Sequence, residues 1–139
     1  MYAKILVAND GSAGGQKALS AAIELARLVS AELHMVAVEE LPRIAASIDE
    51  VAEEKVEANH RFAPVVETAK ALAQRAGVTI ETHLIPGHVG EAIVRLINEH
   101  GFDLLVAGFM GHSQLYERII GGTTERLARL APCSVLVVK

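Results

Sequence analysis

The sequence predicts one doubly wound α/β domain over 1–139: a five-stranded parallel sheet in the order 3-2-1-4-5 with helices on both faces. Three observations carry that expectation. Short apolar runs rich in branched residues alternate with stretches of helical periodicity, the first and fourth strand-like runs end in DGS and GFMG turns, and 139 residues suffice for one core but not for two domains. Apolar residues make up 51% of the chain and aromatics only 4%, so Ala, Val, Leu and Ile must build the interior. The formal charge of -4 offers no basic field for nucleic acid.

The run KILVAN, Lys4 to Asn9, reads as a strand buried on both faces and ended by DGS. From Ser12 to Ser30, residues Ala18, Leu19, Ala22, Ile23, Leu25, Ala26 and Val29 recur at helical spacing, an amphipathic helix lying on a sheet. ELHMVAVEE is a second buried strand, followed after Pro42 by a long helical stretch from about Ser47 to Ala76. Pro64 interrupts that stretch, and a kink or two abutting helices are expected there. Gly77 ends it.

In VTIETHLIPG, Val78, Ile80, Thr82 and Leu84 alternate with Thr79, Glu81 and His83, as suits an edge strand with one wet face. EAIVRLINEH is a short helix closed by Gly101, DLLVAG a buried strand, TTERLARLA a helix stopped before Pro132, and CSVLVVK the last strand. Each parallel pair needs a right-handed helical crossover, which gives the doubly wound class. Ligands on such sheets bind beyond the carboxyl ends of the strands where the winding reverses. There ANDGS, after the first strand, and AGFMG, after the fourth, would face each other. The last strand is an edge in this order, yet Val135 to Val138 are all apolar, so Ser134 to Val138 is expected to meet its symmetry mate in a homodimer.

Several functions are disfavoured. Cys133 has no partner for an internal disulfide and reads as a small buried hydrophobe. The chain reaches Asp10 too early for a signal peptide, and no apolar run approaches the roughly 20 residues of a spanning helix, so a cytoplasmic protein without membrane insertion is expected. His83 and His88 straddle Pro86 and Gly87, and no Cys or second carboxylate stands at ligand spacing, so no metal site is expected. Glu39, Glu40, Glu53, Glu54 and Glu57 read as solvated faces. A receiver domain would need a phosphoacceptor aspartate after the third strand, and HLIPG supplies none.

The stretch GFMGHSQLYERIIGGTTERL, Gly108 to Leu127, admits two readings from spacing alone. Gly108, Gly111, Gly121 and Gly122 could let backbone N–H groups cradle phosphate ahead of a helix starting at Thr123 or Thr124, or they could be a flexible loop with an ordinary cap. Asp10 likewise suits a ligand contact, or a turn former or helix cap.

The whole chain resembles the universal stress protein family. KILVANDGS resembles its opening strand and turn, and GFDLLVAG and LARLAPCSVLVVK resemble its last two strands. Gly108, Gly111 and Gly121 fit the G-x2-G-x9-G spacing of its nucleotide-binding members, with Gly122 where those members carry Ser or Thr. The resemblance implies ATP or AMP, with Mg²⁺ as a candidate companion, held by Ala8, Asn9, Asp10 and Val38. Ala107 and Gly108 would line the same pocket, with Gly111, Gly121, Gly122, Thr123 and Thr124 around the phosphates. Asp10 could accept from the adenine amine or a ribose hydroxyl, and Val38 would wall the base.

Two departures bear on the phosphate end. Gly122 lacks the hydroxyl, a hydrogen bond worth about 0.5–1.5 kcal/mol. Phe109 and Met110 stand where family members often carry a small polar and a basic residue, with His112 as a partial substitute if protonated. The expected function is a regulatory module in a stress response that passes nucleotide occupancy to an unidentified partner protein through 43–49 and 109–120. At most it hydrolyses ATP slowly, with Asp10 as the nearby candidate to orient water. The alternative is a dimer that binds no nucleotide and acts by protein–protein interaction.

Overall fold

The computed structural model describes residues 1–40, 48–109 and 120–139, and of 48–59 the backbone alone. The chain runs β1 (Lys4–Ala8), α1 (Ala13–Val29), β2 (Glu32–Glu40), α2 (Ile48–Arg75), β3 (Ile80–Gly87), α3 (Val89–His100), β4 (Leu104–Gly108), α4 (Gly122–Leu130) and β5 (Ser134–Val138). The sheet order is β3-β2-β1-β4-β5 and every pairing is parallel, as the alternation of elements predicts.

Side chains alternate across the sheet and divide the core in two. Ile5, Val7, Leu33, Met35, Leu104 and Val106 pack under α1 and α2, where Leu19, Ala22, Ile23, Ala69 and Ala73 meet them. Leu6, Val36 and Leu105 face the other way, against Ile93, Leu96 and Ile97 of α3 and Leu127 of α4. β1 and β4 are central and read as continuous apolar runs because both of their faces are covered.

The edges differ from the centre. No residue of β3 is fully buried, and its expected alternation is blurred because His83 is half-buried where a wet residue is predicted. β5 pairs with β4 on one side only, and its Leu136 is 40% exposed. Cys133 is half-buried rather than enclosed, and burial pushes its thiol pKa up.

Of the two alternatives expected at Pro64, two abutting helices are excluded, because Pro64 lies inside a single α2. Proline leaves the carbonyl four residues earlier, that of His60, without an intrahelical donor. His60 and Pro64 are both exposed, so solvent can serve that carbonyl and the helix continues.

The start of the central strand is tied down by one carboxylate. Asp103 accepts from the N–H of Ala3 at 2.8 Å and of Lys4 at 3.1 Å, while its own N–H donates to the Lys4 carbonyl at 3.0 Å. Burial works to raise the Asp103 pKa, but these backbone N–H bonds and the N-terminal ammonium outweigh it and hold the carboxyl below its ordinary value. A depressed folded pKa contributes stability that is present above the unfolded pKa and lost as pH falls through the folded one. Asp103→Asn is therefore expected to lower stability at pH 7 by about 0.5–1 kcal/mol, a figure discounted for solvent exposure. Urea midpoints measured down a pH series should show the gap to wild type closing in acid.

Candidate functional site

The turn after β1 is built from its own side chains. Asn9 is buried, donates its N–H to the Val36 carbonyl at 3.0 Å, and accepts through Oδ1 from the Gly11 N–H at 3.0 Å. Asp10 is exposed, and its Oδ1 accepts from the Ser12 N–H at 2.9 Å. The helix-cap reading of Asp10 is corrected: Ser12 is the N-cap of α1, its Oγ accepting from the Gly15 N–H at 3.1 Å. Asp10 shapes the turn that leads into that cap, a role aspartate fills because its short side chain reaches backbone two residues on.

The first turn of α1 then fits between the ends of the two central strands. A Cβ at Gly108 would lie 2.6 Å from the Gly14 carbonyl oxygen, and one at Gly15 would collide with Asn9 Oδ1. The backbone of α1 thus touches the turn after β1 and the end of β4 together. Gly108 is required by packing against backbone, whatever ligand approaches it.

At the end of β4 the chain is fastened three times. The Phe109 N–H donates to the Val138 carbonyl at 2.8 Å, the Gly121 N–H donates to the Phe109 carbonyl at 2.9 Å, and Thr124 Oγ1 donates to the Gly108 carbonyl at 2.7 Å. α4 therefore begins earlier than the threonines suggest, with Gly121 as N-cap and Gly122 as its first residue. Its cap makes no side-chain hydrogen bond. The N–H groups of Gly122, Thr123 and Thr124 stand in the first turn, where no intrahelical acceptor reaches them and the helix dipole is positive. Thr123 is exposed; Thr124 is buried and its hydroxyl is engaged by Gly108.

The remaining residues fall around this point. Ala8 and Val38 are half-buried against the α3–α4 side of the core, and Ala107 is 3% exposed in register with Val137. Gly111 and most of the segments 43–49 and 109–120 lie outside the described residues. Two residues gain significance from the fold. Lys139 places its Nζ 5.2 Å from the centroid of the Phe109 ring, bringing a cation to a turn whose own FM sequence has none. Glu39, expected on a solvated face, is only 6% exposed, and among the described residues its Oε1 has no hydrogen-bond partner. Its alternation with apolar Ala37 along β2 is the signal that places it inward.

Residues 1–139 match the model of the Universal stress protein family. The chain is 32% identical to universal stress protein YxiE of Bacillus subtilis, an alignment covering 100% of both chains. Among solved structures it resembles universal stress protein UspA from Lactobacillus plantarum at a TM-score of 0.87 and 25% identity, covering 99% of this chain and 98% of that one. A universal stress protein solved in complex with cAMP superposes at a TM-score of 0.77 with 27% identity, covering 99% and 97%.

Gly108, which opens the spacing motif, and Gly122, which follows its last glycine, are expected to respond differently to a methyl group. Gly108→Ala must push backbone aside and should cost about 1–3 kcal/mol. Among the described residues a Cβ at Gly122 meets nothing within 4 Å, so Gly122→Ala should be neutral or stabilising by up to about 1 kcal/mol. Urea denaturation of the two variants measures both.

Proposed function

The chain belongs to the universal stress protein family, and on that premise we propose that it is a cytoplasmic regulatory module that binds an adenine nucleotide, ATP or AMP, at the junction of β1 and β4. The observation that carries this reading is the shared framework there: the Asn9–Asp10 turn, Gly108 and the start of α4 are all fastened around the first turn of α1. A sheet of this winding presents ligands at that junction. The complex of a similar family member with cAMP supports the ligand class.

In this reading the adenosine lies against Ala8, Val38 and Ala107, with the Asn9–Asp10 turn offering acceptors. The phosphates sit on the N–H groups of Gly122 and Thr123, joined by Gly111 of the loop, while Gly121, whose N–H is held by the Phe109 carbonyl, sets the start of α4, with Mg²⁺ as a companion of the triphosphate. Thr124 acts as a positioning residue, since its hydroxyl holds α4 to Gly108. Lys139 supplies the positive charge that Phe109 and Met110 do not. Partner proteins would read occupancy through 43–49 and 109–120.

A second reading, a dimer working by protein–protein contact without nucleotide, is favoured by one feature. The cap of α4 carries no hydroxyl, and the nearest buried one is already engaged. Calorimetric titration with ATP and Mg²⁺ separates the two. Binding is expected, tightened about 2- to 12-fold by Gly122→Ser, whose Cβ meets no atom within 4 Å among the described residues. Silence at millimolar nucleotide in both proteins decides for the second reading.

We also propose that the free edge of β5 pairs with a second copy across a two-fold axis. Sedimentation at micromolar concentration is expected to give a dimer mass, and Leu136→Lys, at an exposed position of that strand, to shift it to monomer.

A further inference from the structure

At the start of the strands, the end of the sheet opposite the glycine turns, three donor groups far apart in sequence come together. His34 of β2 and Glu81 of β3 are register partners, and His83 stands two residues further along the same face of β3. His34, Glu81 and His83 each offer one ligand atom, and these atoms lie within 4.8 Å of one another. His34 Nδ1 is 2.8 Å from His83 Nε2 and 3.5 Å from Glu81 Oε2.

The hydrogen bonds around His34 decide which nitrogen is available. Its Nε2 is 2.8 Å from Glu32 Oε1, and a carboxylate only accepts, so Nε2 carries the proton and neutral His34 presents a bare lone pair at Nδ1. A carboxylate behind an imidazole is the arrangement that orients metal-binding histidines. The two rings are parallel within 6°, yet their centroids are 5.1 Å apart while the nitrogens nearly meet. They therefore lie edge to edge and share a proton rather than stack.

Around a tetrahedral zinc with Zn–N of about 2.0–2.1 Å, two ligand nitrogens lie about 3.3 Å apart. The histidine nitrogens must separate by about 0.5 Å and give up the shared proton, whereas the Glu81 oxygen already stands near ligand spacing from His34. His83, half-buried on the edge strand, is the ring that must make that movement. His34 is 3% exposed and held edge-on to Phe102 at 4.9 Å. A cavity of about 410 Å³ opens beside the strand starts, lined in part by Arg27, Glu32, His34 and Glu81. Lys4 turns its Nζ to the His100 carbonyl at 2.8 Å. The His100 ring stands tilted beside His83 at 5.5 Å.

We propose that His34 Nδ1, His83 Nε2 and the Glu81 carboxylate bind a divalent first-row transition ion of the zinc class, oriented by Glu32 and completed by water. Titration of the whole protein with Zn²⁺, with Co²⁺ as an absorbing probe, tests the site. One ion per chain is expected at micromolar affinity or tighter, with Tm rising by about 10 °C at a hundredfold excess over Kd. His83→Gln and Glu81→Gln, both on the outer strand, are expected to weaken binding at least about tenfold, and Glu32→Gln by about 10- to 100-fold. Circular dichroism confirms that each variant is folded; Glu81→Gln, at an exposed side chain, keeps the test valid if His83→Gln is not. Wild-type binding weaker than millimolar, or affinity undiminished in a folded variant of His83 or Glu81, overturns the assignment and leaves a proton-sharing histidine pair.

Discussion

The close approach of α1 to the ends of β1 and β4 is the constraint on which the junction depends. Gly14 and Gly108 meet backbone to backbone, and Gly15 fills the space beside Asn9 where any side chain would collide. Only with α1 seated this deeply can Ser12 cap it directly after a turn as short as Asn9 to Gly11. The same contact leaves the Gly108 carbonyl pointing where Thr124 can reach it, and so sets where α4 starts. A glycine that looks like an invitation to a ligand is first a requirement of helix-on-strand packing.

The two ends of the sheet carry opposite chemistry for a common reason. Parallel strands all point the same way, so helix N-termini gather at their carboxyl ends with N–H groups unpaired and a positive dipole. That end favours an anion. At the strand starts the helices arrive with their carbonyl ends, and side chains provide the specific groups: Glu32, His34, Glu81 and His83 make a cluster of acceptors suited to a cation. The preference of one end for an anion follows from topology, whereas the cation site proposed at the other depends on which side chains happen to share a face.

The apolar runs at Ile5 to Val7 and Leu104 to Val106 and the amphipathic helix after Ser12 were legible in the sequence, because hydrophobic periodicity reports directly on which face is covered. Less was legible at the ends of elements. The threonines at 123 and 124 look like caps, yet the N–H of Gly121 finds the Phe109 carbonyl and α4 begins at Gly122. Asp10 looks like a cap and is a turn former, since the hydroxyl of Ser12 lies closer to the helix. Pro64 looks like a break and is carried within one helix because the carbonyl it orphans faces water.

By itself the sequence determined the fold class, the strand order, the edge character of β3 and β5, and the resemblance to the universal stress protein family, since all of these rest on local pattern and spacing. Only the tertiary structure decided what each polar side chain does. Thr124 is engaged by Gly108, Glu39 is turned inward, Lys139 arrives beside Phe109, and His34 meets His83 across 49 positions of chain. The physical reason is that hydrogen bonds and ligand sets are made between atoms a few ångströms apart, and parallel pairing brings together residues whose separation along the chain carries no trace of it.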